Sequence, residues 1–162
     1  GFGLIVQRDY ARAWALQRRL WTSLSERSLR WSEDSTIFLD PAGLEDTTYI
    51  GANTWNMPLV AQYVFEFPAS WDRSPQVYRL QPEWRQRSRA NPAELKALDT
   101  RWEFIVARWP NVVIFNTEDG RVGQRLTGID LGGRSYPLQP QGGPNTSSLP
   151  DGFLHDDLIA RP

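Results

Sequence analysis

Ser35-Thr36-Ile37-Phe38-Leu39-Asp40-Pro41 is the stretch that decides the fold. It is a short β-branched and aromatic run that ends abruptly in an acid and a proline. Polar alternation is missing and the length suits a strand better than a helix, so it predicts a strand covered on both faces. An amphipathic segment precedes it and a second apolar segment with helical spacing follows. Helix, buried strand, helix is the order an α/β layer requires. The expectation is a three-layer α/β domain, with a mainly parallel central sheet, flanking helices and a C-terminal antiparallel hairpin.

Upstream, Gly3–Val6 reads as a short first strand, with Asp9 placed to cap a helix. On a helical wheel Tyr10, Ala13, Trp14, Leu20, Trp21 and Leu24 share a face, with Arg12, Arg19 and Glu26 opposite. Trp14 and Trp21 are therefore expected in the core. Gln17 falls inside the same stripe, as a buried amide bonded to main chain or as a ligand contact. The helix is expected to fray near Ser25–Ser28.

Downstream, the chain to about Asn53 reads as loop. Pro58 suits the first turn of a second helix capped by Asn56 and carrying Leu59, Val60, Tyr63, Val64 and Phe67. Tyr63–Phe67 also fits an alternating strand. Gln76–Leu80 is a third strand, Trp84–Ala90 a polar arginine-rich stretch, and Asn91-Pro92 the opening of a short helix to Asp99. Phe104–Ala107 and Val112–Phe115 are strands around the turn Arg108–Asn111. Asp119-Gly120 marks a hairpin tip, Arg121–Ile129 the returning strand, and Gly132-Gly133 the next turn. Residues 1–136 form the domain. Residues 137–162 read as an extended Pro/Gly-rich tail whose Phe153, Leu154, Leu158 and Ile159 are apolar enough to dock.

With 162 residues and 40% hydrophobic content the chain suits one domain with a real core. A formal charge of −1 argues against a general nucleic-acid binder, because that affinity comes from clustered cations on phosphate. The absence of cysteine removes disulfides, thiolate metal sites and cysteine nucleophiles. No stretch approaches the about 20 apolar residues of a membrane span. The apolar opening, without Met or a basic leader, is expected to belong to a longer chain.

Phosphate-loop, nucleophile-elbow and zinc-helix motifs are missing, and no cofactor or metal is expected. His155, the only histidine, lies in the tail and makes a poor general base. The pairs Glu45-Asp46, Glu118-Asp119 and Asp156-Asp157 read as solvated turns rather than ligand sets. Asn145-Thr146-Ser147 matches a glycosylation acceptor. Asp40 is the acid placed where α/β sheets bind ligands, just beyond the carboxyl end of a strand. It equally fits an Asp-Pro turn that caps the next segment. Of the eight tryptophans, Trp71, Trp84 and Trp109 sit beside prolines or arginines in expected loops. They suit either a sugar platform or protein hot spot, or the packing of loops on the body.

Tyr10-Ala-Arg-Ala-Trp14-Ala-Leu-Gln17, then Leu20-Trp21 and Leu24, then Asp34-Ser-Thr36-Ile-Phe-Leu39, resemble a pattern in one group of proteins. These are large multi-pass bacterial membrane proteins, similar in outline to lipid-linked-sugar glycosyltransferases, with an extracytoplasmic domain after the last span. The resemblance extends through Trp55–Pro68 and Val112–Leu126, about two thirds of the chain. It departs before the strand, where the group reads W-R-x-P and this chain has Ser28-Leu29-Arg30-Trp31. It implies a location, extracytoplasmic and attached to a membrane, with the membrane-embedded part of the same longer chain as partner. No catalytic residue carries over. The functional expectation is a non-catalytic envelope domain that binds a protein partner or glycan through loop aromatics Trp71, Trp84 and Trp109, with Asp40. The alternative is an accessory domain of a membrane glycosyltransferase that positions its acceptor.

Overall fold

The computed structural model of the chain describes residues 2–27, 31–44, 57–65, 67–98 and 104–138, with residues 2–7, 9 and 10 described in backbone alone. The segment Thr36–Leu39 is strand β1 and lies inside a four-stranded mixed sheet. β2 (Gln76–Arg79) and β6 (Val112–Glu118) flank it, both parallel to it. β7 (Arg121–Arg125) closes the sheet, antiparallel to β6. Ile37 stands between Val77 and Val113, and Phe38 between Tyr78 and Ile114. The expected α/β class, with parallel and antiparallel strands in one sheet, is what forms.

Period-two alternation sends Ile37 and Leu39 to one face and Phe38 to the other. Ile37 and Leu39 pack with Val113, Phe115 and Val122, and with helices α1 (Phe2–Arg27) and α2 (Met57–Val64). Leu20, Trp21 and Leu24 of α1 and Met57, Ala61 and Val64 of α2 supply the helical side of this core. Trp31 meets Phe65 edge-on there, with ring centroids 4.8 Å apart. Phe38 joins a second core with Val112 and Ile114. Most of its other members come from α3 (Trp84–Arg87), from the antiparallel strands β4 (Glu94–Leu98) and β5 (Phe104–Arg108), and from the hairpin β8 (Gly128–Leu131) and β9 (Arg134–Pro137), with Leu80 and Leu138 just beyond β2 and β9. β3 (Arg89–Ala90) extends the β4–β5 sheet. With apolar cover on both faces, β1 needs no polar positions, which explains its uninterrupted run.

Several expectations are corrected. Gly3–Val6 is not a strand but the opening of α1, and Asp9 lies within that helix rather than capping it. A short apolar run fits either element, and no helix breaker stands between it and the helix-forming residues that follow. Trp21 is buried at 4% exposure, but Trp14 is 49% exposed. Helix α1, at 26 residues, is about 39 Å long, and buried positions among its described side chains begin only at Leu20. Periodicity tells which way a side chain faces, not whether anything lies opposite.

The helix expected from Asn91-Pro92 is also absent. Asn91 Oδ1 does accept from the amides of Ala93 and Glu94, at 2.8 and 2.9 Å, as a cap would. The chain then runs out as β4, with Leu95 and Ala97 buried and Lys96 exposed. Pairing with β5 outweighs local helix preference. Arg121–Ile129 divides into β7 and β8, which belong to different sheets. Phe67 lies beyond the end of α2.

Other expectations hold. Pro58 sits in the first turn of α2. Asp119 and Gly120 turn the β6–β7 hairpin with φ of 49° and 71°, and Gly132 and Gly133 turn β8–β9 with 58° and 76°. Such left-handed pairs match the twist of the strands they join. The Asn56 cap, the loop Glu45–Asn53, the sequon, His155 and the tail from residue 139 lie outside the described residues.

Candidate functional site

Asp40 follows β1 directly and is buried. Its Oδ1 accepts from the Ala42 amide at 3.2 Å, capping the 3-10 turn Pro41–Gly43. Its Oδ2 accepts from Arg85 Nη2 at 2.9 Å. The strand-end position and the turn cap, alternatives from sequence, are therefore both present. The Arg85 guanidinium also lies 4.7 Å above the Trp84 ring, so Asp40, Arg85 and Trp84 form one cluster. Both carboxylate oxygens hold structure together, and Trp84 itself is a core residue at 1% exposure.

Trp71 and Trp109 lie elsewhere. Each is half-buried and precedes a strand whose first residue pairs with Thr36, so both sit toward the amino ends of the parallel strands. Trp71 stacks on Phe67 at 6.1 Å, and Phe67 packs on the helix-side core. Trp109 stacks on Tyr136 at 5.1 Å, packs on the opposite core, and donates from Nε1 to the Asn91 carbonyl at 2.6 Å. The four expected site residues occupy three places: one cluster at the carboxyl ends of the strands and two separate stacked pairs at the amino ends.

Two concavities lie on α1. Trp14, Gln17, Arg18 and Trp21, at i, i+3, i+4 and i+7, form one stripe of the helix. With Val60, Tyr63 and Val64 of α2 they line an apolar groove of about 210 Å³. The adjoining stripe, Ala15, Arg18, Arg19, Thr22 and Glu26, faces Arg121 of β7 across a polar cleft of about 400 Å³. Arg18 belongs to both. Arg19 Nη1 donates to the Asp119 carbonyl at 3.5 Å, which ties the cleft to the β6–β7 turn. On the same strand as Arg121, burial lowers the Arg125 guanidinium pKa from its usual value, although a guanidinium keeps its charge at neutral pH.

Sequence reasoning assigned Trp14 and Trp21 to the core and so passed over the groove. The helical stripe was the available signal, and the missing piece was the position of α2. The cleft carried no signal, because Arg121 lies 102 residues beyond Arg19.

Comparison with known proteins finds no matching family model, no matching characterised protein and no matching solved structure. Among the described residues, no helix is long and apolar enough to cross a membrane, and no group of three or more His, Cys, Asp and Glu side chains could hold a metal.

Proposed function

We propose that this chain is a binding module of a membrane-attached bacterial envelope protein, on the extracytoplasmic side, and that its ligand or partner seats in the groove between α1 and α2. The observation that carries this reading is the pair of exposed aromatics on that groove. Trp14 is 49% and Tyr63 70% exposed, and Leu59 of α2 is half exposed as well. Clustered large apolar side chains left in water mark interaction surfaces more often than scattered ones do. Trp and Tyr also supply much contact area for few rotatable bonds.

Membrane attachment draws on the resemblance and on Phe2-Gly3-Leu4-Ile5-Val6. This apolar stretch belongs to α1 itself, so a helix leaving a bilayer would enter the module without a break. The same reading takes the domain as three layers, with the mixed sheet between the α1–α2 pair and the smaller β-sheets.

A second reading keeps the loop aromatics, as an acceptor-positioning accessory domain of a membrane glycosyltransferase. Trp109 favours it. Its ring is partly buried, held at one edge by Asn91 and stacked on Tyr136, a preformed aromatic plane of the kind a sugar ring can cover.

The neutral dye N-phenyl-1-naphthylamine separates the two. Saturable binding is expected at one site per chain, weakened about tenfold by Trp14→Ala with Tyr63→Ser and unchanged by Trp109→Ala. Binding that survives the double substitution sinks the groove reading. Circular dichroism of each variant guards against unfolding.

A further inference from the structure

We infer that the free edge of β5 is a self-association surface, where two copies of this chain pair antiparallel across a two-fold axis at Val106. The β4–β5 sheet packs on the second core, whereas α1 and α2 pack on the first, so this surface is separate from the groove and goes beyond the role proposed for it. Among the described residues β5 pairs with β4 alone and stands at the border of its sheet.

Backbone parity decides which residues face outward. The register sets Glu94 opposite Arg108 and hence Ala93 opposite Trp109, whose amide donates to the Ala93 carbonyl at 3.3 Å. In an antiparallel ladder every second pair exchanges hydrogen bonds, so Ala107 and Ile105 also turn theirs toward β4. The far side of β4 agrees: the Glu94 carbonyl accepts from the Asn91 amide, and the Leu98 amide donates to Ser88 Oγ. Phe104, Val106 and Arg108 therefore aim their amides and carbonyls away from β4. Their side chains are exposed too, Phe104 at 42% and Val106 at 55%.

The other sheet borders carry devices that discourage pairing. β2 has no exposed side chain, and β7 is bulged against β6 and bears exposed Arg121. β3 is two residues long, β8 bears exposed Asp130, and β9 bears exposed Arg134 and ends in Pro137. β5 instead runs five residues in unbroken register without a proline or a bulge. Its one charge, Arg108, lies at the end, opposite Glu94 of β4. Such an edge is a template for another strand.

The outward row Phe104, Val106, Arg108 complements itself, which selects a second copy as the occupant. With Val106 on its own counterpart, Phe104 of each copy falls opposite Arg108 of the other. The backbones then exchange two hydrogen bonds at each of these pairs, and each guanidinium lies beside an aromatic ring. Like charges stay apart. The two Arg108 positions are four residues from each other along the seam, about 14 Å. Lys96, opposite Val106 in β4, is three strand spacings from its counterpart, also about 14 Å. Both exceed the screening length of about 8 Å at physiological salt. A seam of five residues per copy buries less than the roughly 800 Å² per partner of a stable interface, so the dimer should be reversible, with a Kd of about 10–100 μM.

Sedimentation equilibrium of the whole chain tests this. Val106→Lys and Val106→Glu each set like charges directly opposite across the axis, and each should raise the Kd at least about tenfold. An equimolar mixture of the two should regain the wild-type affinity or better, because opposite charges then meet. Both substitutions lie at an exposed position, and circular dichroism checks the fold. A second measurement needs no weakened variant. The chain has no cysteine, so Val106→Cys supplies a single thiol whose Cα should lie about 5.5 Å from its counterpart, within disulfide reach. Mild oxidation should cross-link it at least about tenfold faster than Lys96→Cys. A wild-type chain that stays monomeric to about 1 mM overturns the inference, even if an extended peptide binds at β5. So does a dimer that both charged variants leave intact, or one that Trp14→Ala abolishes while Val106→Lys does not. Failure of the mixture to restore pairing, or equal cross-linking of the two cysteine variants, overturns it as well. None of these results bears on dye binding in the groove.

Discussion

Gly43 and Thr117 meet backbone against backbone: a Cβ on Gly43 would stand 1.8 Å from the Thr117 carbonyl oxygen. The Gly43 amide donates to Thr117 Oγ1 at 3.2 Å, and that hydroxyl donates in turn to the Asp40 carbonyl. The turn after β1 is thus pinned against the end of β6 by a contact that admits no side chain. Gly43→Ala must push backbone apart and is expected to cost about 2–4 kcal/mol. Thr117→Val keeps the volume but removes both hydrogen bonds, with an expected loss of about 2 kcal/mol. Urea midpoints measure both, and a wild-type midpoint for Gly43→Ala would contradict the close approach.

Asp40 and Arg85 contribute unequally to stability. The Asp40 side chain is 9% exposed and has two jobs, whereas Arg85 is 45% exposed and solvent screens its pairing. Asp40→Ala removes the cap and the ion-pair acceptor together, for a loss of about 2 kcal/mol. Asp40→Asn retains an oxygen for the Ala42 amide and should fall between that variant and wild type. Arg85→Ala should cost no more than about 1 kcal/mol. Chemical denaturation orders the three, and a larger loss from Arg85→Ala than from Asp40→Ala would refute this account.

Trp14 and Trp21 separate stability from binding. Both lie on one stripe of α1, yet only Trp21 is buried, and it meets Phe65 edge-on at 6.2 Å. Trp21→Ala should lose about 3–5 kcal/mol through lost packing and the cavity left behind. Trp14→Ala should stay within about 0.5–1 kcal/mol of wild type. Thermal melts decide, and equal losses would mean that α1 sits differently on the sheet.

Ser23 links α1 to β7. Its hydroxyl is the acceptor for the buried Val122 amide, and Ser23→Ala leaves that amide without a partner. The expected cost is about 1–3 kcal/mol, together with faster hydrogen exchange at Val122. Unchanged protection at that amide would remove the link.

Legibility followed the range of the interactions. β1 and the two glycine turns were readable because their causes are local: an apolar run too short for a helix, and residue pairs that tolerate positive φ. Ser28-Leu29-Arg30-Trp31 drew attention as a departure from a pattern, yet Trp31 is fully buried against Phe65, a partner that no local rule would pick. Gly3–Val6 and Glu94–Leu98 were misread for opposite reasons. The first took the state of the helix it adjoins, and the second took the state of the strand it pairs with. For the candidate site, the placement of Asp40 was legible but its partner Arg85 was not, since 45 residues separate them.

By itself, the order of residues determined that Thr36–Leu39 would be an interior strand, that an amphipathic helix would come before it, and that Asp119-Gly120 and Gly132-Gly133 would reverse the chain. Hydrophobic period and turn chemistry act over a few residues and need no partner to be read. Only the tertiary structure decided that α1 outruns the sheet, so that of two tryptophans on one stripe one is core and the other faces water. It also decided that Arg121 joins Arg18 and Arg19. Burial and charge clustering depend on what lies across from a side chain, and that is set by how distant segments pack.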